Sequence, residues 1–159
     1  MINLKQWWIS RNLLSQAYKA KAITGLPASI VSAMAILETG WLKSIPVDFQ
    51  TGEKSHNLFG IKAKVSQPHV NSITHEYYSG VKVRTFARFR KYKNYEESFV
   101  DYGNLILGNP RYKKAVEVKG DPRKYIEELV KAGYCTDPDY VSKILAIAEN
   151  CGFIPKEKV

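Results

Sequence analysis

Cysteine and methionine are scarce, two of each in 159 residues. Cys135 precedes, and Cys151 follows, a helix read over residues 138–150. Such a helix spans roughly 20 Å. Disulfide-bonded Cα atoms lie within about 7 Å, so no intrachain bridge is expected. The three histidines, His56, His69 and His75, fall in loop- or strand-like stretches without Cys/His ligand spacing. No metal and no other cofactor is therefore expected, and these histidines read as ordinary polar residues. No apolar run reaches the roughly 18 residues of a membrane span. The first eight residues, Met1 to Trp8, lack the apolar core and small-residue cleavage site of a signal peptide. On that reading the chain is exported by another route, is an excised domain or is a phage-type lysin. Repeats and low-complexity linkers are missing too, which makes residues 1–159 one expected domain. Acid is missing locally: residues 77–95 hold no Asp or Glu.

What is present is an ordinary globular composition, 45% hydrophobic and 25% charged, with a net charge of +9. That balance favours a polyanionic partner such as nucleic acid, acidic lipid or anionic cell wall. Punctuation by Pro and Gly predicts a mainly α fold with one β insertion. A first helix is expected over Leu4–Ile23 and a second over Pro27–Thr39. A β-hairpin around Ser79-Gly80 is expected within Ser72–Tyr92. Asn94 opens a helix reaching Leu107. Asn109-Pro110, Asp121-Pro122 and Asp137-Pro138 each open another. The tail from Pro155 to Val159 is expected to fray.

Glu38 ends the second helix, which is otherwise apolar nearly all round and so should be buried. A carboxylate there faces the negative end of the helix dipole and partial desolvation. Both favour the neutral acid that a general acid requires. The same pattern also suits a surface glutamate in a fraying last turn. Glu76 lies in the strand-like run Ile73–Tyr78. Two carboxylates flanking a sugar bond are the usual equipment of glycoside hydrolysis. The register alone leaves Glu76 opposite Val83 with a two-residue loop, or opposite Arg84 with a three-residue loop. From the residues, a salt bridge to a basic neighbour such as Arg84 is preferred. Lys82, Arg84, Arg88, Arg90, Lys91 and Lys93, interleaved with aromatics, fit a nucleic-acid surface, but a solvated strand face explains their alternation better. Tyr134 sits between a helix stop at Gly133 and a start at Asp137-Pro138, as a catalytic side chain or as a plug between helices. Phe59 suits a sugar platform or the core.

Five segments in order resemble the bacterial glucosaminidases of glycoside hydrolase family 73, which include autolysins and flagellar muramidase domains. They are Ala35–Trp41, Asn57–Ala63, Thr74–Tyr77, Arg88–Tyr92 running into Glu97–Tyr102, and Gly133–Tyr140. The resemblance implies a lysozyme-like α+β fold: a helical body with a small hairpin lobe across a substrate cleft. It implies cleavage of the β-1,4 bond between N-acetylglucosamine and N-acetylmuramic acid in peptidoglycan, and action on the bacterial cell wall. It implies Glu38 as general acid, Glu76 as second acid and Tyr134 as a cleft tyrosine, with Asn57 and Phe59 lining the groove. Cys135 stands where the family usually has Ala, and His75 where Thr is frequent. A monomer acting on glycan strands, without nucleic acid, is expected. The alternatives are a lytic transglycosylase on the same polymer, a non-catalytic wall-binding module and a nucleic-acid-binding domain.

Overall fold

Local signals at each helix end set the frame. In the computed structural model, which describes residues 1–158, Asn3 and Gln6 cap each other's backbone N–H groups and start helix α1, Leu4–Thr24. Gly25, in the left-handed conformation, ends it. Pro27 takes the cap position rather than the first helical one, and α2 runs Ala28–Thr39. Ile30, Ala33, Met34, Ala35 and Ile36 have essentially no exposed surface. Fully burying a side chain such as Met34 or Ile36 contributes about 1.5–3 kcal/mol. α2 is thus the central element, packed against α1 and the last helix of the chain.

Helix α3, Tyr95–Leu107, is capped by Asn94, whose side chain accepts from the Glu97 N–H. It lies close against α1 because Gly103 presents no side chain there. A Cβ at that position would stand 2.4 Å from Thr24 Cγ2. The helix expected at Asn109-Pro110 is reduced to a 3-10 turn, Pro110–Tyr112, and a short α4, Lys113–Glu117. Asp121 starts the next helix only four residues later, with Pro122 in its first turn; α5 covers Pro122–Lys131. Asp137-Pro138 forms a turn rather than the first residues of the last helix. α6 begins at Tyr140 and runs to Asn150. The described part of the C-terminal tail is exposed and without regular structure, and touches the body where Arg123 donates to the Pro155 carbonyl and pairs with Glu157. Val159 lies outside the described residues. No helix among the described residues is long and apolar enough to cross a membrane.

The β lobe is a hairpin of β1, His69–Tyr78, and β2, Val81–Arg90. Ser79 (φ 50°) and Gly80 (φ 78°) close it as a two-residue loop with both residues left-handed. That loop fixes the register: Glu76 faces Val83, and His75 faces Arg84. Residues 61–63 pair along β2's other edge, with Lys62 opposite Phe89. At its base the lobe is tied to α3 through Asp101, which pairs with Arg90 at 2.8 Å and accepts from the Tyr92 hydroxyl.

Candidate active site

Glu38 sits in the last turn of α2, where the chain leaves the core through an unusual bend. Gly40, Trp41 and Leu42 all have positive φ, 54°, 61° and 66°. Two consecutive non-glycine residues in this region cost of order 1–3 kcal/mol each. Thr39 holds the bend together. Its hydroxyl donates to the Ala35 carbonyl at 2.7 Å and accepts from the Leu42 N–H at 2.9 Å, while its carbonyl accepts from Ser44. Trp41 and Leu42 pack against the core, which offsets the strain. The consequence is a fixed carboxyl at the end of a rigid helix.

That carboxyl has two environments. One side meets a cluster of aromatic rings, and the other remains open to solvent. Tyr140, the first residue of α6, donates its hydroxyl to Glu38 Oε1 at 3.2 Å. Burial on the ring side raises the Glu38 pKa above its ordinary value, and the Tyr140 hydrogen bond partly opposes this. Access of water on the open side tempers the shift.

The rings behind Glu38 form a chain. Tyr134 lies 6.1 Å from Tyr140 and 6.2 Å from both Tyr102 and Tyr112, centroid to centroid. Tyr102 stacks on Phe59 at 4.2 Å, and its hydroxyl lies 3.2 Å from that of Tyr125. Burial, and then their charged and ionisable neighbours including Glu38, push the Tyr134 and Tyr140 phenols well above the usual tyrosine range. Both remain neutral donors at any working pH. Tyr134 is held by its N–H on the Leu129 carbonyl and by Gly133 in a left-handed turn. The following loop is pinned by Lys143 on Asp137 at 2.7 Å. The loop therefore brings Tyr134 beside Glu38, while the direct partner of the acid is Tyr140.

The other expected residues divide. Phe59 is half-buried, stacked on Tyr102 and edge-on to Phe99 at 5.8 Å. It belongs both to the core and to the ring cluster. Asn57 does not line a groove. It is 1% exposed, its Nδ2 donates to the carbonyls of Ile61 and Arg90, and its Oδ1 accepts from the N–H groups of Phe59 and Ile61. A buried amide is stable only when so paired, and this one locks the Phe59 turn to the base of the hairpin.

Glu76 makes a salt bridge, but with Lys62 at 2.9 Å rather than with Arg84. The two-residue loop puts Arg84 on the opposite face of the sheet. Lys62 faces Phe89, six positions along β2 from the residue facing Glu76. A flat strand would separate them by roughly 20 Å, beyond the reach of a Lys–Glu pair, so the hairpin curls over this face. The resulting groove, about 460 Å³, is lined by Lys62, Glu76, Tyr78, Thr85 and their neighbours. A second concavity of about 560 Å³ lies at the hairpin base, lined by Arg90, Tyr92, Val100 and Asp101. Neither Glu38 nor Glu76 lines it, and its Arg90–Asp101 pair anchors the lobe.

The sequence reading did not assign Tyr140 or Lys62 a role. Tyr140 closes the Gly133–Tyr140 segment, so its position was visible, but nothing in spacing aims a ring from α6 at the end of α2. Lys62 closes the Asn57–Lys62 turn, and its pairing depends on the curl of the hairpin.

Comparison with known proteins establishes the family and the fold. The glucosaminidase family model, described as mannosyl-glycoprotein endo-beta-N-acetylglucosaminidase, matches residues 14–152. The peptidoglycan hydrolase FlgJ of Pseudomonas aeruginosa is 42% identical over 138 residues, 86% of this chain and 34% of that protein. The exo-glucosaminidase LytG of Bacillus subtilis is 36% identical over 126 residues, 76% of this chain and 43% of that protein. The chain thus spans less than half the length of these relatives. The solved glycoside hydrolase domain of FlgJ from Salmonella typhimurium superposes with a TM-score of 0.79 at 32% identity, covering 94% of this chain and 99% of that one. With its mainly helical body, its hairpin lobe and a family match over most of its length, the chain belongs to the glucosaminidase family of glycoside hydrolases.

Proposed function

We propose that the chain hydrolyses peptidoglycan at the β-1,4 bond between N-acetylglucosamine and N-acetylmuramic acid, with Glu38 as general acid. The observation that carries this is a carboxyl open to solvent on one side, desolvated on the other, and hydrogen-bonded by Tyr140 at 3.2 Å. Glu38 gives its proton to the glycosidic oxygen as the C–O bond breaks. Positive charge develops at the anomeric carbon. As Glu38 becomes a carboxylate, the Tyr140 hydrogen bond becomes charge-assisted and strengthens. An interaction stronger in the transition state than before it accelerates the step. Tyr134, a neutral donor beside Glu38, hydrogen-bonds the substrate's acetamido group or the attacking water. Glu76 supplies the second carboxylate from the β lobe, its charge balanced by Lys62. Water adds at the anomeric carbon and gives its proton to the Glu76 carboxylate, which completes hydrolysis.

The chain acts on the bacterial cell wall and works as a monomer. Mass spectrometry of digested peptidoglycan tests the reading: fragments should carry N-acetylglucosamine at the reducing end. Fragments ending in a 1,6-anhydro ring would instead make the chain a lytic transglycosylase, and intact polymer would make it a binding module.

A further inference from the structure

The hairpin's two faces differ in charge: Glu76 projects from one of them, and from the other face Phe86 and Arg88 also reach the rim of its groove. Glu76 is the sole acid of the two strands, and the register places it on the face shared with Val83, Thr85 and Ala87. The opposite face carries His75 and Tyr77 on β1, and Lys82, Arg84, Phe86 and Arg88 on β2. Every one of these six side chains is exposed. Among the described residues, none of Lys82, Arg84 and Arg88 has a carboxylate within ion-pair distance, whereas Lys62 on the other face is paired. Like charges two strand residues apart, roughly 7 Å, repel one another. A fold gains nothing from that arrangement. Aromatic surface lies among them: Phe86 is 60% exposed, with the Phe49 ring against it at 4.7 Å, and Tyr77 faces Lys82 across the strands at 70% exposed.

We infer that this outer face of the hairpin is a docking surface for the carboxylates of the peptide stems carried by peptidoglycan glycan strands. The inference rests on the proposed peptidoglycan reading and deepens it. Stem peptides end in carboxylates and repeat along the strand. A stripe of three unpaired cations at the rim of the same small lobe that holds Glu76 offers them complementary charge. Exposed aromatic rings between the cations cover the apolar parts of the peptide. The surface confers preference for peptide-bearing strands over naked glycan and leaves the chemical step alone.

The test uses two soluble polymers: glycan strands with their stems, and the same strands stripped of peptide by an amidase. Equilibrium binding is measured with the Glu38→Gln variant, with and without Lys82→Gln, Arg84→Gln and Arg88→Gln together, in low and high salt. Surface ion pairs are individually weak, so the triple substitution should weaken binding to peptide-bearing strands about tenfold. It should flatten the salt dependence and leave binding to stripped strands unchanged. Because all three side chains are exposed, the melting temperature should not move. Equal weakening on both polymers, or on neither, overturns the inference. So does tighter binding of a single-stranded oligonucleotide than of peptide-bearing glycan, which would make the face a nucleic-acid surface. Binding is read without turnover. A wild-type chain that cleaves neither polymer would therefore sink the hydrolase reading while the docking face is judged separately.

Discussion

Replacing Glu38 by Gln separates chemistry from packing, because the amide is nearly isosteric and its oxygen still accepts from Tyr140 at the observed 3.2 Å geometry. What disappears is the transferable proton. General acid catalysis contributes typically 10²–10⁴-fold, equivalent to about 2.7–5.5 kcal/mol of transition-state stabilisation. Release of reducing ends from insoluble peptidoglycan should fall by that factor. Stability should move the other way. Burial raises the folded-state pKa of Glu38 above its ordinary 4.5, so between the unfolded and folded values the native state holds the extra proton. Stability therefore falls as pH rises through that window and stays lower above it. The Glu38→Gln variant lacks this penalty. It should match or modestly exceed the wild type in urea denaturation at neutral pH, with the difference closing below the unfolded-state value of 4.5. A folded variant lysing walls within tenfold of the wild-type rate would refute the assignment. Lower stability of the variant at neutral pH would refute the desolvation argument behind it.

Tyr140→Phe should reduce kcat roughly three- to tenfold, the value of about 1 kcal/mol for one hydrogen bond. Because the hydroxyl stabilises the Glu38 carboxylate, its loss should move the alkaline limb of the kcat/KM profile to higher pH; a limb that stays put or moves down would contradict the pairing. Tyr134→Phe keeps the ring and should lower kcat more than it raises KM, and wild-type turnover would leave Tyr134 as packing only. Glu76→Gln should lower turnover with little change in melting temperature, since an exposed pair such as that with Lys62 contributes about 0–1 kcal/mol; a clear loss of stability with normal turnover would make the pair structural. Asn57→Ala should cost about 2–3 kcal/mol in chemical denaturation, because it strips partners from buried backbone groups, and an unchanged midpoint would deny its locking role.

Much of this fold is legible in the sequence because its determinants are local. Gly25, Gly40 and Ser79-Gly80 mark breaks by their backbone freedom, and Asn94 and Asp121 mark starts by their capping side chains. The apolar run of α2 announces burial without any partner being known. Asn57 was harder to read. An asparagine in a tight turn next to an aromatic residue looks the same whether its amide faces a sugar or its own backbone. Only the approach of Arg90, 33 residues away, decides between them. The Glu76 partner was hidden for a similar reason. The loop length fixes the pairing register, but no alternation pattern reports how far a two-stranded ribbon curls.

Tyr140 shows where sequence reasoning stops. A general acid has to be dry enough to keep its proton and open enough to reach a polymer. No single residue sets both conditions. The apolar α2 and the left-handed Gly40–Leu42 bend deliver Glu38 to the surface at a fixed angle. α6 then returns, more than a hundred residues later, to place a phenol and its ring neighbours against one side of the carboxyl. The rings raise the proton affinity of the resting acid, while the phenol hydroxyl holds the carboxylate that forms when the proton leaves. Both effects act on one carboxyl, in opposite directions, with burial the larger. That arrangement exists only once α2, α6 and the Tyr134 loop are packed together, so the general-acid role proposed for Glu38 depends on the tertiary fold and not on its helix alone.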